Sequence, residues 1–431
     1  VNAEYAAFLE AKSKTHVAKG ISVPKSKLST TLYDFQKDVV IWALDKGRSC
    51  LFADTGLGKT AMQVEFAKQV SEGKRLIVAP LGVNEQTIQE AHEHNGVKIK
   101  RANTDADISG SGIYITNYER LERIESRFDA IVLDESDILQ SFDGHYRKYI
   151  QERFDETRFK LACTATPAPN DYMELGTHAE FVGAMTRQEM LATYFCHDGA
   201  DTSKWRLKRH AVGDFWRWVS TWAAVFRHPR DLGYEIEGYD LPPLEFFTHV
   251  VDVEPSAGGL FGGDVSATSL YKTLKNSAEE RVDVVWRLIQ AEPDEPWLIW
   301  CHTDEEQRML EKCITNAVSV YGSLDIETKV DRLMGFASGK YPRLISKPKI
   351  AGSGLNLQRC RRMAFCGVTY SFKQVYQCSR RCWRYGQTKP VHAHLVICNE
   401  QESVKQVLDI KQNAFDDMAA DIKKYVGGIL R

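Results

Sequence analysis

The stretch RSCLFADTGLGKT, residues 48–60, joins an apolar run to a glycine-rich turn and leads straight into AMQVEFAKQVSEG (61–73), which has helical spacing. Strand, glycine loop and helix in that order are the context a phosphate-binding loop requires. Gly56 and Gly58 let backbone N–H groups close around phosphate oxygens at the start of a helix, with Thr55 and Leu57 completing the cradle. Lys59 is placed to reach the β and γ phosphates of a nucleoside triphosphate, and Thr60 to hold Mg2+. Ala53 stands where the simplest pattern has its first glycine, so the motif rests on its setting rather than on every letter. A plain glycine turn is the competing reading, and the flanking elements weigh against it.

A phosphate loop needs a carboxylate site at the end of a neighbouring strand. IVLDESD (131–137) is an apolar run ending in Asp134 and Glu135. Asp134 can anchor Mg2+ through water, while Glu135 can orient and deprotonate an attacking water. Alone, Asp-Glu after a strand is more often a helix cap. With the loop upstream, the pair reads as the catalytic half of an ATP-hydrolysing site.

Further out, short β-type runs alternate with helical lengths, and the pattern occurs twice. The first series is 48–54, 75–80, 112–117, 128–135 and 159–166; the second is 296–301, 317–322, 342–348, 362–367 and 391–397. Near-continuous apolar strands separated by helices imply parallel sheets covered on both faces. The fold class is therefore α/β, with two lobes. A chain of 431 residues also exceeds what one core usually supports. The boundaries are a leader (1–30), a first lobe (31–170), a Trp/Arg-rich insertion of helical excursions and a linker (171–245), and a second lobe with a C-terminal helix (246–431). SAGGLFGGD (256–264) reads as a mobile loop.

Composition bounds the rest. The 56 Lys+Arg against 58 Asp+Glu leave a net charge of −2, so any hold on nucleic acid is a local groove. No apolar run approaches the ~18 residues of a membrane span, and the N-terminal residues lack the apolar core of a secretory signal. Several of the ten cysteines (Cys50, Cys163, Cys301, Cys366, Cys398) sit in strand-like runs, which reads as reduced thiols in a cytoplasmic protein. The first residue is Val rather than Met, consistent with processing or trimming.

Taken in order, ADTGLGKT (53–60), LDESD (133–137) and CTATP (163–167) resemble motifs I, II and III of helicase superfamily two. AGSGLNLQ (351–358) and QCSRRCWRYGQ (377–387) resemble motifs V and VI, and the Gly-Gln pair closing the latter resembles Swi/Snf-like translocases. LYDFQ (32–36) is similar to the upstream motif whose glutamine reads adenine, and ITNYE (115–119) to motif Ib. DLPPLE (240–245) lies where such chains pass to the second lobe. The layout is similar to the compact type found in bacteriophages and prophages. The resemblance implies RecA-like lobes, ATP and Mg2+ as cofactors, Gln36 and Gly354 as nucleotide contacts, and DNA as partner, duplex or branched preferred. It departs from the family at Asp137, where His or Gln often stands, and at Arg380, where Asp is common.

Arg381 and Arg384 are three apart, so they share a helical face and can meet one phosphate chain. Coming from the far lobe, they would make hydrolysis depend on lobe closure, as an arginine finger does. The nearby Cys378 and Cys382 read as packing residues. For the nucleic-acid track the resemblance points to Pro80, Thr116, Asn117, Tyr118, Ser346, Lys347 and Gly352. In SKWRLKRH (203–210) and FWRWVSTWAAVFRH (215–228), Phe215, Trp218, Trp222 and Val225 form a helical stripe suited to a core. Trp205 and Trp216 fall off it, beside basic residues, as a wedge or stacking platform. The implied function is a DNA-stimulated ATPase that remodels replication or recombination intermediates with the proteins of those processes. The alternatives are an RNA helicase, the motor subunit of a restriction-type complex, and a non-catalytic module. The last is disfavoured by Lys59, Glu135 and both arginines.

Overall fold

The computed structural model describes residues 20–80, 83–140, 144–168, 171–198, 201–252, 274–351, 356–369 and 371–399, with isolated positions between 406 and 425. The chain divides into two compact units, Val1–Ile236 with Ala414–Arg431, and Glu237–Asn413.

In the first unit the strands are β1 (Arg48–Ala53), β2 (Lys74–Ala79), β3 (Ile99–Arg101), β4 (Gly112–Asn117), β5 (Ala130–Asp134) and β6 (Phe159–Cys163). A hairpin of β7 (Phe195–Asp198) and β8 (Asp201–Leu207) follows, then β9 (Ala223–Phe226). Among the described residues the sheet has the order β3-β4-β2-β5-β6-β1-β9, with every pairing parallel. Parallel strands all end at one edge, so the loop after β1 and the acidic pair after β5 are brought to the same side. The helix after β1 runs Lys59–Val70 and buries Met62, Val64, Phe66 and Ala67. Glu65 on that helix is also buried, bonded by Ser29 and Asn95, so residues just before 31 pack on this lobe. The remainder of the expected leader lies outside the described residues.

The helical reading of 171–245 agrees with the helices Leu175–Val182, Arg187–Tyr194 and Val212–Ser220 but needs correction at the hairpin and at β9. The helix Val212–Ser220 stops because Ser220 and Thr221 hydroxyls donate to the carbonyls of Arg217 and Trp218, competing with the helical ladder. The apolar run Ala223–Phe226 then pairs with β1 and covers an edge that would otherwise expose unpaired backbone groups. Val225 is thus a strand residue, while Phe215, Trp218 and Trp222 are core as their spacing suggests. The terminal stretch Ala414–Arg431 groups with the first unit, not with the second lobe, and Tyr425 lies against Gly213. SAGGLFGGD lies outside the described residues.

The second unit holds β10 (Leu244–Val251), β11 (Trp297–Cys301), β12 (Ala317–Val320), β13 (Arg343–Ser346), β14 (Arg362–Cys366) and β15 (Val391–Cys398), in the parallel order β10-β15-β14-β11-β13-β12. Its core joins Trp297, Ile299, Ile345 and Val396 to Val285, Ile289 and Leu310 of two covering helices. Buried with them is an ion pair, Arg281 Nη2 to Glu306 Oε1 at 2.6 Å, both side chains fully inaccessible. Arg281 also donates to Cys366 O and Ser277 Oγ, and Glu306 Oε2 accepts from the N–H groups of His302 and Thr303. A buried pair compensates its desolvation only when its remaining donors and acceptors are met in this way. All ten cysteines are free, and the five singled out above are buried. Among the described residues no helix is long and apolar enough to cross a membrane.

Candidate functional site

The phosphate loop leaves β1 at Ala53 and turns through Gly56 (φ 87°) and Gly58 (φ 78°) into the helix. Both values lie in the left-handed region, where a Cβ is penalised. At Gly58 the need is doubled, since a Cβ there would fall 2.2 Å from Gln36 Nε2. Gln36 is buried; its Nε2 donates to Leu57 O at 3.0 Å and its Oε1 accepts from Tyr33 N at 2.9 Å. Gln36 therefore braces the loop with the amide expected to read a base. Leu57 is itself buried, while Thr55 and Thr60 remain partly accessible.

Lys59 Nζ donates to Ala53 O (2.8 Å) and Asp54 O (3.2 Å). Burial pulls its pKa down, against the charges of Glu135, Asp54 and Asp134. Asp134 ends β5 and accepts from Gln63 Nε2 at 2.7 Å. Burial, then the adjacent Glu135 charge, raises its pKa to about 6. Glu135 has φ 47°, uncommon for a residue with a side chain, and its Oε2 is buried with no hydrogen-bond partner among the described residues. Facing charges of Lys59, Asp134 and Glu135 thus converge at the C-terminal edge of the sheet. Thr60 hydroxyl and Asp134 carboxylate form a hard oxygen set suited to Mg2+, and the orphaned Glu135 oxygen suits an attacking water.

Three supports escaped the sequence reading. Gln63 lies one turn after Lys59, a spacing that could have flagged it. The Tyr118 hydroxyl donates to Asp134 O at 2.6 Å, which makes it a prop of the acidic pair rather than a nucleic-acid contact. Ser136 Oγ lies 3.1 Å from His178 Nε2 across two fully buried side chains, a contact no local pattern announces. Burial draws the His178 pKa down to about 4.

The remaining track residues also need correction as side-chain contacts. Thr116 and Asn117 are buried, and Asn117 Oδ1 caps the following turn at Arg120 N (2.9 Å). Ser346 is buried and donates to Val320 O, and Lys347 pairs with Asp304. Pro80 is half-buried, with its carbonyl taken by Val83 N. Trp216 is fully buried against Tyr172 and Phe215, so it cannot stack on a base. Trp205 is half-buried on the hairpin beside His197, its ring centre 3.9 Å from that of His197. Gly352 and Gly354 lie outside the described residues.

In the second unit the helix Phe372–Cys382 ends before Arg384, so Arg381 and Arg384 do not share a helical face. Trp383 ends it, with its Nε1 donating to Pro242 O at 2.5 Å. Arg381 is buried, its carbonyl accepting from Leu357 N and its Nε donating to Gln377 O; Arg384 is half-buried. The Gly-Gln pair is structural here. Gln387 Nε2 donates to Gln358 O at 2.7 Å, while its Oε1 accepts from Thr388 and Lys389 N–H groups. Cys378 and Cys382 are buried thiols, raised by burial.

Two parallel-sheet α/β lobes of RecA-like fold, the first with a phosphate loop facing an acidic pair, make up the described chain. Residues 27–169 match the family "Type III restriction enzyme, res subunit", and residues 280–386 match "Helicase conserved C-terminal domain". The Mus musculus protein "DNA annealing helicase and endonuclease ZRANB3" is 28% identical over 426 aligned residues, covering 86% of this chain and 39% of that protein. The chain thus spans about two-fifths of that relative's length. A solved structure, "Sulfolobus solfataricus SWI2/SNF2 ATPase core in complex with dsDNA", aligns over 94% of this chain and 96% of its own at 16% identity, with a TM-score of 0.44.

Proposed function

We propose that the chain is an ATP-dependent DNA translocase or helicase that remodels duplex or branched DNA, such as replication or recombination intermediates. The observation that carries this reading is the phosphate loop with Lys59 facing Asp134 and Glu135, whose Oε2 has no hydrogen-bond partner among the described residues, in a chain matched by one helicase-type domain in each lobe. The annealing-helicase activity named for the mouse relative favours DNA over RNA.

ATP is the substrate. Lys59 turns its ammonium from the carbonyls of Ala53 and Asp54 to the β and γ phosphates. Glu135 holds the attacking water and takes its proton. Thr60 and Asp134 would hold Mg2+, which when bound would neutralise charge on the phosphate oxygens. Arg381 and Arg384, supplied by the second lobe, stabilise charge that develops on the transferred group. Trp205 and the backbone near Pro80, Asn117 and Ser346 are the proposed grip on DNA. The resemblance to helicases of bacteriophages and prophages favours a viral or prophage remodeller acting in the host cytoplasm. The match of 27–169 favours a second reading, the motor subunit of a restriction-type complex.

Steady-state ATPase rates without nucleic acid and with single-stranded DNA, duplex, four-way junction or RNA test the proposal. Duplex-containing DNA should stimulate most, with a steep loss between low and moderate salt because the grip is on phosphates. Equal stimulation by RNA moves the choice to an RNA helicase.

A further inference from the structure

β9 ends at Phe226 opposite Ala53, so the chain leaves the sheet beside the phosphate loop, and Asp54 N donates to Phe226 O at 3.2 Å. The next side chain, Arg227, brings Nε to 4.0 Å from Asp54 Oδ2. The other oxygen of that carboxylate accepts from Thr55 N at 2.6 Å, inside the loop. Asp54 is buried while the Arg227 side chain is 31% exposed, so solvent screens the pair only in part.

The chain then makes a tight turn. Asp231 accepts from the N–H groups of both Arg227 and His228 at 2.9 Å, and Gly233 closes the turn with φ 84°. The Tyr234 hydroxyl donates to Asp38, and its ring lies 6.4 Å from that of Phe35. Phe35 and Asp38 belong to the helix Asp34–Lys46, which carries Gln36. At Glu237 the second unit begins.

We infer that residues 227–234 form a coupling strap, in which Arg227 and Tyr234 are positioning residues that hook the inter-lobe linker onto the phosphate loop through Asp54 and onto the Gln36 helix through Asp38. The inference rests on the nucleotide-site reading above. Asp54 is joined to Thr55 both covalently and by its carboxylate, so the loop cannot rearrange around phosphate without moving the partner of Arg227. The hold of one Asp231 oxygen on two successive N–H groups makes the turn shift as a unit instead of absorbing that displacement at one torsion. A ligand biases a conformation only through contacts that differ between states, and the Arg227–Asp54 contact supplies that difference. Nucleotide occupancy in the first lobe is thereby felt where the chain departs for the second.

Hydrogen exchange read by mass spectrometry on the full chain, with and without a non-hydrolysable ATP analogue and Mg2+, tests this. In the unaltered protein, nucleotide should slow exchange both in the loop (55–60) and in 227–236. Arg227→Gln should keep the first effect and lose the second, Arg227→Lys should retain part of it, and Tyr234→Phe should weaken it. A local structural role would change exchange without nucleotide but not the nucleotide-dependent difference. In steady state, Arg227→Gln should lower the DNA-stimulation ratio about fivefold or more, with KM for ATP changing less than kcat. Protection of the loop with none at 227–236, or an Arg227→Gln protein identical to the unaltered one, overturns the strap alone. No protection of the loop overturns the nucleotide-site reading and the strap with it.

Discussion

Gly58→Ala tests how the phosphate loop is held. The backbone at 58 is left-handed, which costs a residue with a Cβ ~1–2 kcal/mol. The new Cβ would also meet Gln36 Nε2 at 2.2 Å, and displacing a packed side chain costs ~1–3 kcal/mol. The loop can yield more easily than the sheet beneath it, so the penalty should surface as lost nucleotide affinity. A total of ~3 kcal/mol corresponds to about a hundredfold in Kd. Gln36→Ala alone forfeits the bonds to Tyr33 N and Leu57 O and should weaken binding about tenfold. In the double variant the clash has no partner, so Gly58→Ala should cost only the backbone share, again about tenfold. Fluorescence titration of a labelled ATP analogue against the four proteins, with circular dichroism to confirm folding, completes the cycle. If Gly58→Ala weakens binding by the same factor with and without Gln36, the loop is not braced by that side chain.

Lys59→Ala should abolish both turnover and Mg·ATP binding, whereas Glu135→Gln should keep the analogue bound while turnover collapses; equal binding loss in both removes Glu135 from its role. Arg381→Ala or Arg384→Ala should remove most of the DNA-stimulated ATPase and less of the DNA-free rate, and a proportional loss of DNA affinity would make them gripping residues instead. His178 folds neutral with a pKa drawn to about 4, so its contribution is full above about pH 6.5 and is lost as pH falls from there toward 4, up to ~3 kcal/mol. His178→Asn should flatten the pH dependence of the thermal midpoint in that window, and an unchanged slope counts against it. Arg281→Met should strand the Glu306 carboxylate at a cost of about 3–5 kcal/mol in denaturant unfolding, largely regained with Glu306→Gln, whose amide oxygen still accepts from the His302 and Thr303 N–H groups; no recovery would mean that packing, not charge, sets the loss.

The glycine loop and the acidic pair were legible because each is a local device, a strand end followed by residues whose type and spacing stand together in the sequence. The strands on either side were legible for a related reason, since burial on both faces leaves continuous apolar runs. What failed depends on contacts distant in sequence. Ala223–Phe226 becomes a strand because β1 has an open edge, and nothing within 215–228 records that edge. Arg384 leaves the helix because Trp383 finds the carbonyl of Pro242, far upstream. Tyr118 sits in a motif associated with nucleic acid, yet its hydroxyl is claimed by the backbone of Asp134. The adenine-reading expectation for Gln36 missed its partner Leu57 O in the glycine loop, whose position only the folded turn defines.

The pairing of β10 with β15 bears on how the molecule is made. β10 is the first strand of its unit to leave the ribosome, and among the described residues it pairs only with β15, the last. Its exposed Phe246, Phe247 and Val250 must therefore wait, unpaired, through synthesis of nearly the whole lobe. Such late closure is slow and leaves a sticky edge open to neighbouring nascent chains. A product that terminates before Val391 leaves β10 with no partner at all. Expression yield should thus respond to growth temperature and to chaperones that shield extended apolar segments, and truncations from the C-terminal side should aggregate rather than yield a smaller lobe.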